Sequence, residues 1–417
     1  MNATVKSGSQ HWVHTWAAMP QLAESIDLPG NPFVQKISKF RVDQLHITNI
    51  RVSLGAASHI RLRLSNAFGQ EPLTIAEVTV SRSAGNVSGT AAVEPGTIRQ
   101  VTFCGDREAR IPVGAQIVSD PVDFGPLPPT TVVTISLFLP NKPPPEGVTS
   151  HPGSRTTSWF APGNQASELS LSGEDVGQIE HWYYISGIEV LTPRELGAFA
   201  LIGDSITDGH GSTTNGDTRW PDYLLSRLQK SPPEQSIAIV NQAAGANCIL
   251  QDGSGGPSVL ARLDRDILSL SGVRHALIFE GINDIGITSP DSASLAIVEK
   301  QLIAAYVQVA TRLSAAGIKT IIATITPFMV RDGEEHNPEV SPYSHPAREV
   351  TRQNINAWIR NDGPTVFDAV VDFDAVLRDP EDFSVLAAQY DCGDHLHPNE
   401  SAFQALADAF PLHVLNI

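Results

Sequence analysis

The chain has 417 residues, of which 41% are hydrophobic and 18% are charged, and its 32 Gly and 30 Pro are typical of a globular protein rich in turns. The net charge of −17 argues against a protein that binds nucleic acid or an anionic membrane surface, because phosphates would be repelled. Three cysteines allow at most one disulfide, and no CxxC pattern indicates a zinc site. The composition therefore favours a globular protein with no disulfide scaffold.

The sequence gives few signs of targeting or modification. We see no apolar run near the roughly 20 residues that a membrane-spanning helix needs. The first residues lack the apolar core of a signal peptide, so we expect either an intracellular protein or a secreted one whose signal has been removed. Glycosylation sequons at Asn2, Asn86 and Asn399 leave open whether a glycan is attached. The oligomeric state is open as well.

Up to about residue 195 the chain has the pattern of short strands divided by turns. Polar and apolar residues alternate over 59–65, which predicts a strand with one buried face. Further strands are predicted over 73–81, 131–139 and 176–191, and proline clusters separate these segments. Many short strands with regular turns predict an antiparallel β-sandwich or jelly-roll-like domain over residues 1–195.

From residue 196 onward strands alternate with helices. We predict strands over 198–202, 237–240, 275–279, 320–325 and 366–373, and helices over 220–228, 259–270, 292–316, about 348–360 and from about 400. Gly317 is placed to end the longest helix. This rhythm predicts a second domain over 196–417, with a parallel sheet covered by helices on both faces.

The most informative residues follow the ends of predicted strands. Ser205 lies in Gly203-Asp204-Ser205-Ile206, at the carboxyl end of the first strand of this half, where open α/β sheets bind ligands. A serine nucleophile needs a base, a group that orients the base, and donors for the oxyanion. His397 is the candidate base, and Asp394 the candidate partner that fixes its tautomer. The side-chain amide of Asn283 and the backbone N–H of Ser205 are candidate oxyanion donors.

These blocks resemble the SGNH/GDSL hydrolase superfamily over residues 196–417. The matching blocks are 203–206, 241–247, Gly281-Ile282-Asn283-Asp284 and Asp394-x-x-His397. The resemblance implies a flavodoxin-like parallel sheet, a Ser205 nucleophile, a His397 base with Asp394 and an Asn283 oxyanion donor. The predicted reaction needs no cofactor, and we predict no metal site. The segments 11–18 and 154–160 resemble a two-part branch of the same superfamily, in which a β-rich domain precedes the hydrolase and some members are acylhydrolases or carbohydrate esterases.

The second block departs from the family pattern, which is Asn-x-Gly-x-x-Gly with the last glycine donating to the oxyanion. Here the run is Asn-Gln-Ala-Ala-Gly-Ala-Asn from Asn241, so Ala246 stands where that glycine belongs and Gly245 comes one residue early. Alanine still has a backbone N–H, so the oxyanion hole can form if Ala246 tolerates the local dihedral angles. The sequence leaves open whether Gly245 or Ala246 donates.

Other interpretations accompany these. A metal site over 391–397 is considered, because oxygen, sulfur and nitrogen ligands are close together there, but Asp394 and His397 are already explained by the triad. Arg155, Trp159 and Trp220 are candidate substrate contacts at a cleft between the domains, and Asp204 is a candidate for hydrogen bonding near the site. The segment from about 327 to 346 is a candidate rim or lid, or equally a disordered surface loop.

The predicted function is a serine esterase or acylhydrolase that cleaves a small-molecule or carbohydrate ester through an acyl-enzyme. One alternative is an acyltransferase, which passes the acyl group from the same intermediate to another acceptor. A second alternative is a carbohydrate-binding protein with a vestigial hydrolase domain, although the intact Ser, Asn, Asp and His set argues against it.

Overall fold

The computed structural model describes residues 10–28, 44–55, 58–141, 145–230, 236–331, 333 and 342–415. Within them the chain forms two compact units. The first contains the described residues of 1–198, 214–216 and 234–240, and the second those of 199–213, 217–233 and 241–417. Asn2 lies outside the described residues, as do 332 and 334–341 of the segment predicted to form a rim.

The first unit is built mainly from strands. Their bounds are β1 Gln10–Ala17, β2 Gln21–Leu22, β3 Gln44–Arg51, β4 His59–Ser65, β5 Leu73–Ile75, β6 Glu77–Arg82, β7 Arg99–Val101, β8 Ala109–Ile111, β9 Gln116–Val118, β10 Val122–Asp123, β11 Val132–Leu139, β12 Thr149–His151, β13 Ser158–Pro162, β14 Gly177–Ile179, β15 Trp182–Tyr183 and β16 Ile185–Pro193. Two larger sheets have the orders β1-β16-β4-β10 and β14-β13-β3-β11-β6-β7, with antiparallel pairing. The prediction of an antiparallel, β-rich first part is confirmed.

Two strands predicted as continuous are divided. The segment 73–81 forms β5 and β6, since β5 pairs with β8 and β6 pairs with β11 in a different sheet. The segment 176–191 forms three strands, because β14, β15 and β16 belong to three different sheets. The sequence pattern showed that these segments are extended, but it did not show where the chain leaves one sheet for another.

The α/β part of the chain follows the predicted alternation. Its strands are β17 Gly197–Gly203, β18 Ile237–Asn241, β19 Val273–Phe279, β20 Lys319–Ala323 and β21 Ala369–Val371; its helices are α1 Ser205–Asp208, α2 Trp220–Leu228, α3 Val259–Leu263, α4 Ile282–Ile287, α5 Ser292–Ala315, α6 Pro346–Asn361, α7 Phe373–Leu377 and α8 Glu400–Ala409. The strand order is β18-β17-β19-β20-β21, with parallel pairing at β19–β20 and β20–β21. This is the flavodoxin-like order, so the predicted fold class is confirmed.

Two predicted elements are shorter than expected. The helix predicted over 259–270 is α3 followed by a π-helical turn over Asp264–Leu268. The strand predicted over 366–373 is reduced to β21, because a 3-10 turn precedes it and Asp372 caps α7 directly after it. In both places local hydrogen bonding ends an element that the apolar pattern alone would extend.

Among the described residues, α5 is long and apolar enough by length and composition to cross a membrane. The expectation that no apolar run approaches that length is therefore corrected. One face of α5 is buried, and its Tyr306 ring stacks on Trp358 of α6. A core helix of an α/β sheet meets the same length and composition criteria.

Candidate active site

The turn after β17 holds Ser205 at the first position of α1. Asp204 caps this helix, and its Oδ1 accepts a hydrogen bond from the Ile206 N–H at 3.0 Å. A Cβ on Gly203 would lie 2.7 Å from Thr207 Cβ and 3.0 Å from the Phe279 carbonyl oxygen. Only glycine fits there without a shift, so the sequence Gly-Asp-Ser is matched to a tight strand-to-helix turn.

The structure brings Ser205, His397 and Asp394 together. Ser205 Oγ lies 2.7 Å from His397 Nε2, and His397 Nδ1 lies 2.6 Å from Asp394 Oδ2. Because an ionised carboxylate only accepts, the imidazole carries its proton on Nδ1 and its Nε2 accepts from the serine hydroxyl. These are the donor and acceptor roles that general-base activation of a hydroxyl requires.

The second oxygen of Asp394 is also engaged. Asp394 Oδ1 accepts from the backbone N–H groups of Leu396 and His397, at 2.9 and 2.7 Å. Burial by itself would raise the pKa of Asp394, but the side-chain hydrogen bond and the charge of His397, with these backbone donors, hold the pKa well below its usual value. The carboxylate therefore remains ionised at any pH near neutrality.

The second block distinguishes Gly245 from Ala246. The Gly245 N–H donates to Asp208 Oδ2 at 3.0 Å, so it is already used inside the fold. Ala246 is exposed and adopts φ +58°, and its N–H donates to no other described residue. The backbone donor that remains available in this block is therefore that of Ala246.

Asn283 lies in the first turn of α4 and is buried. Its Nδ2 donates one hydrogen to the carbonyl oxygen of Asn247 at 2.8 Å, and its Oδ1 accepts from the Tyr343 hydroxyl at 2.7 Å. Since a side-chain amide has two N–H donors, one remains for a further acceptor. Asn247 belongs to the second block, so this hydrogen bond links two of the predicted blocks.

Three buried carboxyl groups lie close together at this end of the sheet. Burial, reinforced by the charges of Asp284 and Asp208, raises the pKa of Asp204 to about 7. Burial raises the pKa of Asp284 to about 6, against the backbone donors Ile249 and Leu250, which lower it. Burial also raises the pKa of Glu280 well above its usual value, although Arg262 opposes this. That these acids share a buried environment was not predicted from the sequence.

Two of the predicted substrate-contact residues, Trp220 and Asp204, are buried in the structure. Trp220 is fully buried, and its Nε1 donates to Thr207 Oγ1 at 3.2 Å, so its predicted contact with substrate is corrected to a packing role. Asp204 is also buried and acts as the helix cap. Trp159 lies in β13, where its Nε1 donates to the Gly89 carbonyl at 3.1 Å, and Arg155 lies just before β13 with φ +50°.

Two groups of residues near Asp394 offer metal-ligating atoms within 4.8 Å of one another, His210-Asp394-His397 and Asp391-Cys392-Asp394. Two ligands of one tetrahedral zinc ion lie about 3.3 Å apart, given zinc–ligand bonds of about 2.0–2.1 Å. The 2.6 Å separation of His397 Nδ1 and Asp394 Oδ2 is instead that of a charge-assisted hydrogen bond. His395 is directed to Asp391, with Nδ1 3.0 Å from Oδ2. The three cysteines are free thiols.

Two residues of the site were missed from the sequence. The His210 ring is centred 3.9 Å from that of His397, and its Nε2 lies 3.8 Å from Asp394 Oδ2. Tyr343, which donates to Asn283, lies within the segment that we predicted as a rim. A histidine five residues after the serine gave a weak signal at most, and nothing in the sequence pointed to Tyr343.

The flavodoxin-like sheet places the protein in the α/β class, and the family that its sequence matches identifies it as a hydrolase of carboxylic esters. Residues 201–405 match the model of the GDSL-like lipase/acylhydrolase family. This part of the chain belongs to that family, as the resemblance of its blocks predicted.

Solved structures similar to the chain include Axe2, an acetylxylan esterase from Geobacillus stearothermophilus, at 20% identity and a TM-score of 0.38, covering 53% of this chain and 94% of that chain. A GDSL-like lipase from Bacteroides thetaiotaomicron VPI-5482 is 15% identical with a TM-score of 0.35, covering 54% of this chain and 89% of that chain. No curated protein matches the chain.

Proposed function

We propose that the protein is a serine esterase that cleaves a small carboxylic ester, including an ester of a carbohydrate, through a covalent acyl-enzyme on Ser205. The observation that supports this most directly is the hydrogen-bond chain from Ser205 Oγ through His397 to Asp394, with links of 2.7 and 2.6 Å. Each atom in that chain has the donor or acceptor role that the reaction needs.

In the first half of the reaction, Ser205 Oγ attacks the ester carbonyl carbon while His397 Nε2 takes the hydroxyl proton. The carbonyl π electrons move to oxygen and form a tetrahedral oxyanion. Asp394 stays ionised and stabilises the imidazolium. When the oxyanion collapses, the bond to the alcohol oxygen breaks, His397 returns its proton to that oxygen, and the acyl group remains on Ser205.

In the second half, water replaces the alcohol. His397 Nε2 takes a proton from the water as its oxygen attacks the acyl carbon, and collapse of the second oxyanion releases the acid and the Ser205 hydroxyl. No electron donor or acceptor is needed. The proposed donors for both oxyanions are the N–H groups of Ser205 and Ala246 and the free amide hydrogen of Asn283. One such donor contributes roughly 3 kcal/mol to lowering the barrier.

The proposal is tested by replacing Ser205 with alanine. We expect S205A to lower kcat for p-nitrophenyl acetate by at least about 10³-fold, because the residual rate comes only from binding and the oxyanion donors. The matched control is S226A, since Ser226 lies on the exposed side of α2 and its hydroxyl bonds only within that helix. Turnover by S205A equal to that of S226A would exclude Ser205 as the nucleophile.

The nature of the substrate is tested with a panel of acetyl, butyryl, long-chain and sugar esters, each assayed with and without an added acceptor alcohol. A hydrolase passes most of the acyl group to water, so the free acid should remain the main product in both conditions. If most of the acyl group instead appears on the acceptor alcohol, the acyltransferase alternative replaces hydrolysis while the same intermediate is retained.

A further inference from the structure

Tyr343 lies just before α6 and contacts the one side chain among the proposed oxyanion donors. Its hydroxyl donates to Asn283 Oδ1 at 2.7 Å. Burial raises the pKa of this phenol to about 12, so it remains protonated, and therefore a donor, at neutral and mildly alkaline pH. The contact joins residues 60 positions apart.

The oxygen and the nitrogen of the Asn283 side-chain amide thus have different hydrogen-bond partners. Oδ1 faces a hydroxyl donor, and Nδ2 faces the carbonyl oxygen of Asn247, which only accepts. If the amide were turned over, its oxygen would face the Asn247 carbonyl, which cannot donate, and that hydrogen bond would be lost. The Asn247 carbonyl therefore selects one orientation, in which the second hydrogen on Nδ2 is left for another acceptor, and the Tyr343 hydroxyl adds a hydrogen bond that holds the amide in that position.

The surrounding residues hold the tyrosine ring against α4. A Cβ on Gly286 would lie 1.7 Å from Tyr343 Cδ1, so the ring occupies the space that only a glycine leaves open. Arg348 donates to the Pro342 carbonyl at 2.9 Å and, from Nε and Nη2, to the Thr288 carbonyl at 3.1 and 2.8 Å. Arg348 therefore links Pro342, the residue before Tyr343, to the C-terminal end of α4, the helix that carries Asn283.

We propose that Tyr343 is a positioning residue that fixes the amide of Asn283 as an oxyanion donor. Gly286 leaves space for the Tyr343 ring, and Arg348 binds the carbonyl of the preceding residue, Pro342. This inference rests on the proposed esterase function. It assigns Tyr343 an effect on the transition state through Asn283 and no contact with the substrate.

The test is a double-mutant cycle with Y343F and N283A. Y343F removes the hydroxyl and keeps the ring; we expect kcat for p-nitrophenyl acetate to fall about tenfold while KM changes less than about twofold, because the lost interaction acts in the transition state. In the N283A background, Y343F should cause no further loss. An equal loss in both backgrounds, or an unchanged kcat in Y343F, overturns the proposal.

Two further variants separate positioning from general damage. G286A should reproduce the loss seen in Y343F, because the added methyl group displaces the ring that carries the hydroxyl. The two changes together should cost less than the product of the single losses, because both remove the same hydrogen bond to Asn283. Y223F is the control, since Tyr223 lies in α2 and takes no part in the proposed site; its kcat should match that of the wild type.

A readout independent of turnover keeps the two proposals distinct. The side-chain ¹⁵N amide resonances of Asn283 should shift in Y343F and remain in place in Y223F. If the wild type shows no ester turnover that depends on Ser205, the proposed function fails, and the Tyr343 proposal is then decided by these resonances alone. Unchanged Asn283 resonances in Y343F overturn it.

Discussion

At the scale of single residues, the candidate site depends on which nitrogen of the His397 ring carries the proton. Asp394 accepts from two backbone N–H groups and from His397 Nδ1, so the turn that carries the aspartate also fixes the position of the imidazole. With its proton on Nδ1, His397 presents an unprotonated Nε2 to Ser205. The position of the Asp394 carboxylate therefore determines which nitrogen of His397 is protonated.

We predict that D394N lowers kcat by roughly 10³- to 10⁴-fold with little change in folding. An asparagine can present its N–H₂ group to His397 Nδ1, which places the imidazole proton on Nε2 and prevents it from accepting the serine proton. Steady-state kinetics and circular dichroism test this. The control is D391N, because asparagine keeps the oxygen that accepts from Gly393 and His395; activity in D394N equal to D391N contradicts the role of Asp394.

The residues that we propose for the reaction were predictable from the sequence, and their supporting neighbours were not. Ser205, Asn283, Asp394 and His397 follow strand ends or form a short motif, so their types and order indicate the chemistry. Tyr343 reaches Asn283 from a distant loop, and no local pattern encodes that contact. The sequence also did not show that Trp220 is buried, because the local sequence around a tryptophan at a domain boundary is the same whether it packs in a core or lines a cleft.

At the scale of elements, the second block is held by the loop that follows it. Asn247 Nδ2 donates to the carbonyl oxygens of Gly255 and Pro257, both at 2.9 Å. A Cβ on Gly255 would lie 2.3 Å from the Ala246 carbonyl carbon and from Asn247 N, so the two backbones are in direct contact. The left-handed conformation of Ala246 is thus supported by a glycine nine residues further along the chain.

We predict that G255A lowers kcat by about tenfold and destabilises the protein by about 1–3 kcal/mol, because the added methyl group must displace the backbone of Ala246. Gly253 offers a matched control in the same loop, since a Cβ there meets nothing within 4 Å. Kinetics and urea unfolding of G255A and G253A compare the two. Equal behaviour of both variants would show that the Ala246 backbone does not need this contact.

The sequence predicted most elements and fewer of their ends. Apolar runs such as 198–202 and 275–279 indicated central strands, and α2 was predicted with its observed bounds. The end of α3 in a π-helical turn and the division of 73–81 between two sheets depend on hydrogen-bond partners remote in sequence. The ends of such elements cannot be predicted without knowing which residues pack together in the folded protein.

At the scale of the whole molecule, buried carboxyl groups couple stability to pH. The folded-state pKa values of Asp204 and Asp284, about 7 and about 6, lie above the usual value of 3.8. The folded state therefore binds these protons more tightly than the unfolded state, and the stability they contribute at low pH is lost as pH rises through these values. Burial lowers the pKa of His181 and His275, and these groups oppose the trend.

We predict that D204N becomes more stable than the wild type as pH rises from 5 to 8, with the difference in unfolding free energy growing by about 1–3 kcal/mol. Asparagine keeps the oxygen that caps α1 and removes the charge. The histidine contributions are common to both proteins and cancel in the difference. Urea unfolding at several pH values measures this difference, with D408N, a change at an exposed aspartate, as the control. A difference that does not vary with pH would contradict a raised pKa for the buried Asp204 carboxyl.

The most direct test of the central claim is to locate the covalent adduct. The wild-type protein is treated with a fluorophosphonate probe, digested, and its peptides are analysed by mass spectrometry, with H397A treated in parallel. We predict one adduct, on Ser205, with labelling strongly slowed in H397A. An ester-hydrolysing protein whose Ser205 peptide stays unmodified, or whose adduct lies on another residue, would contradict the account.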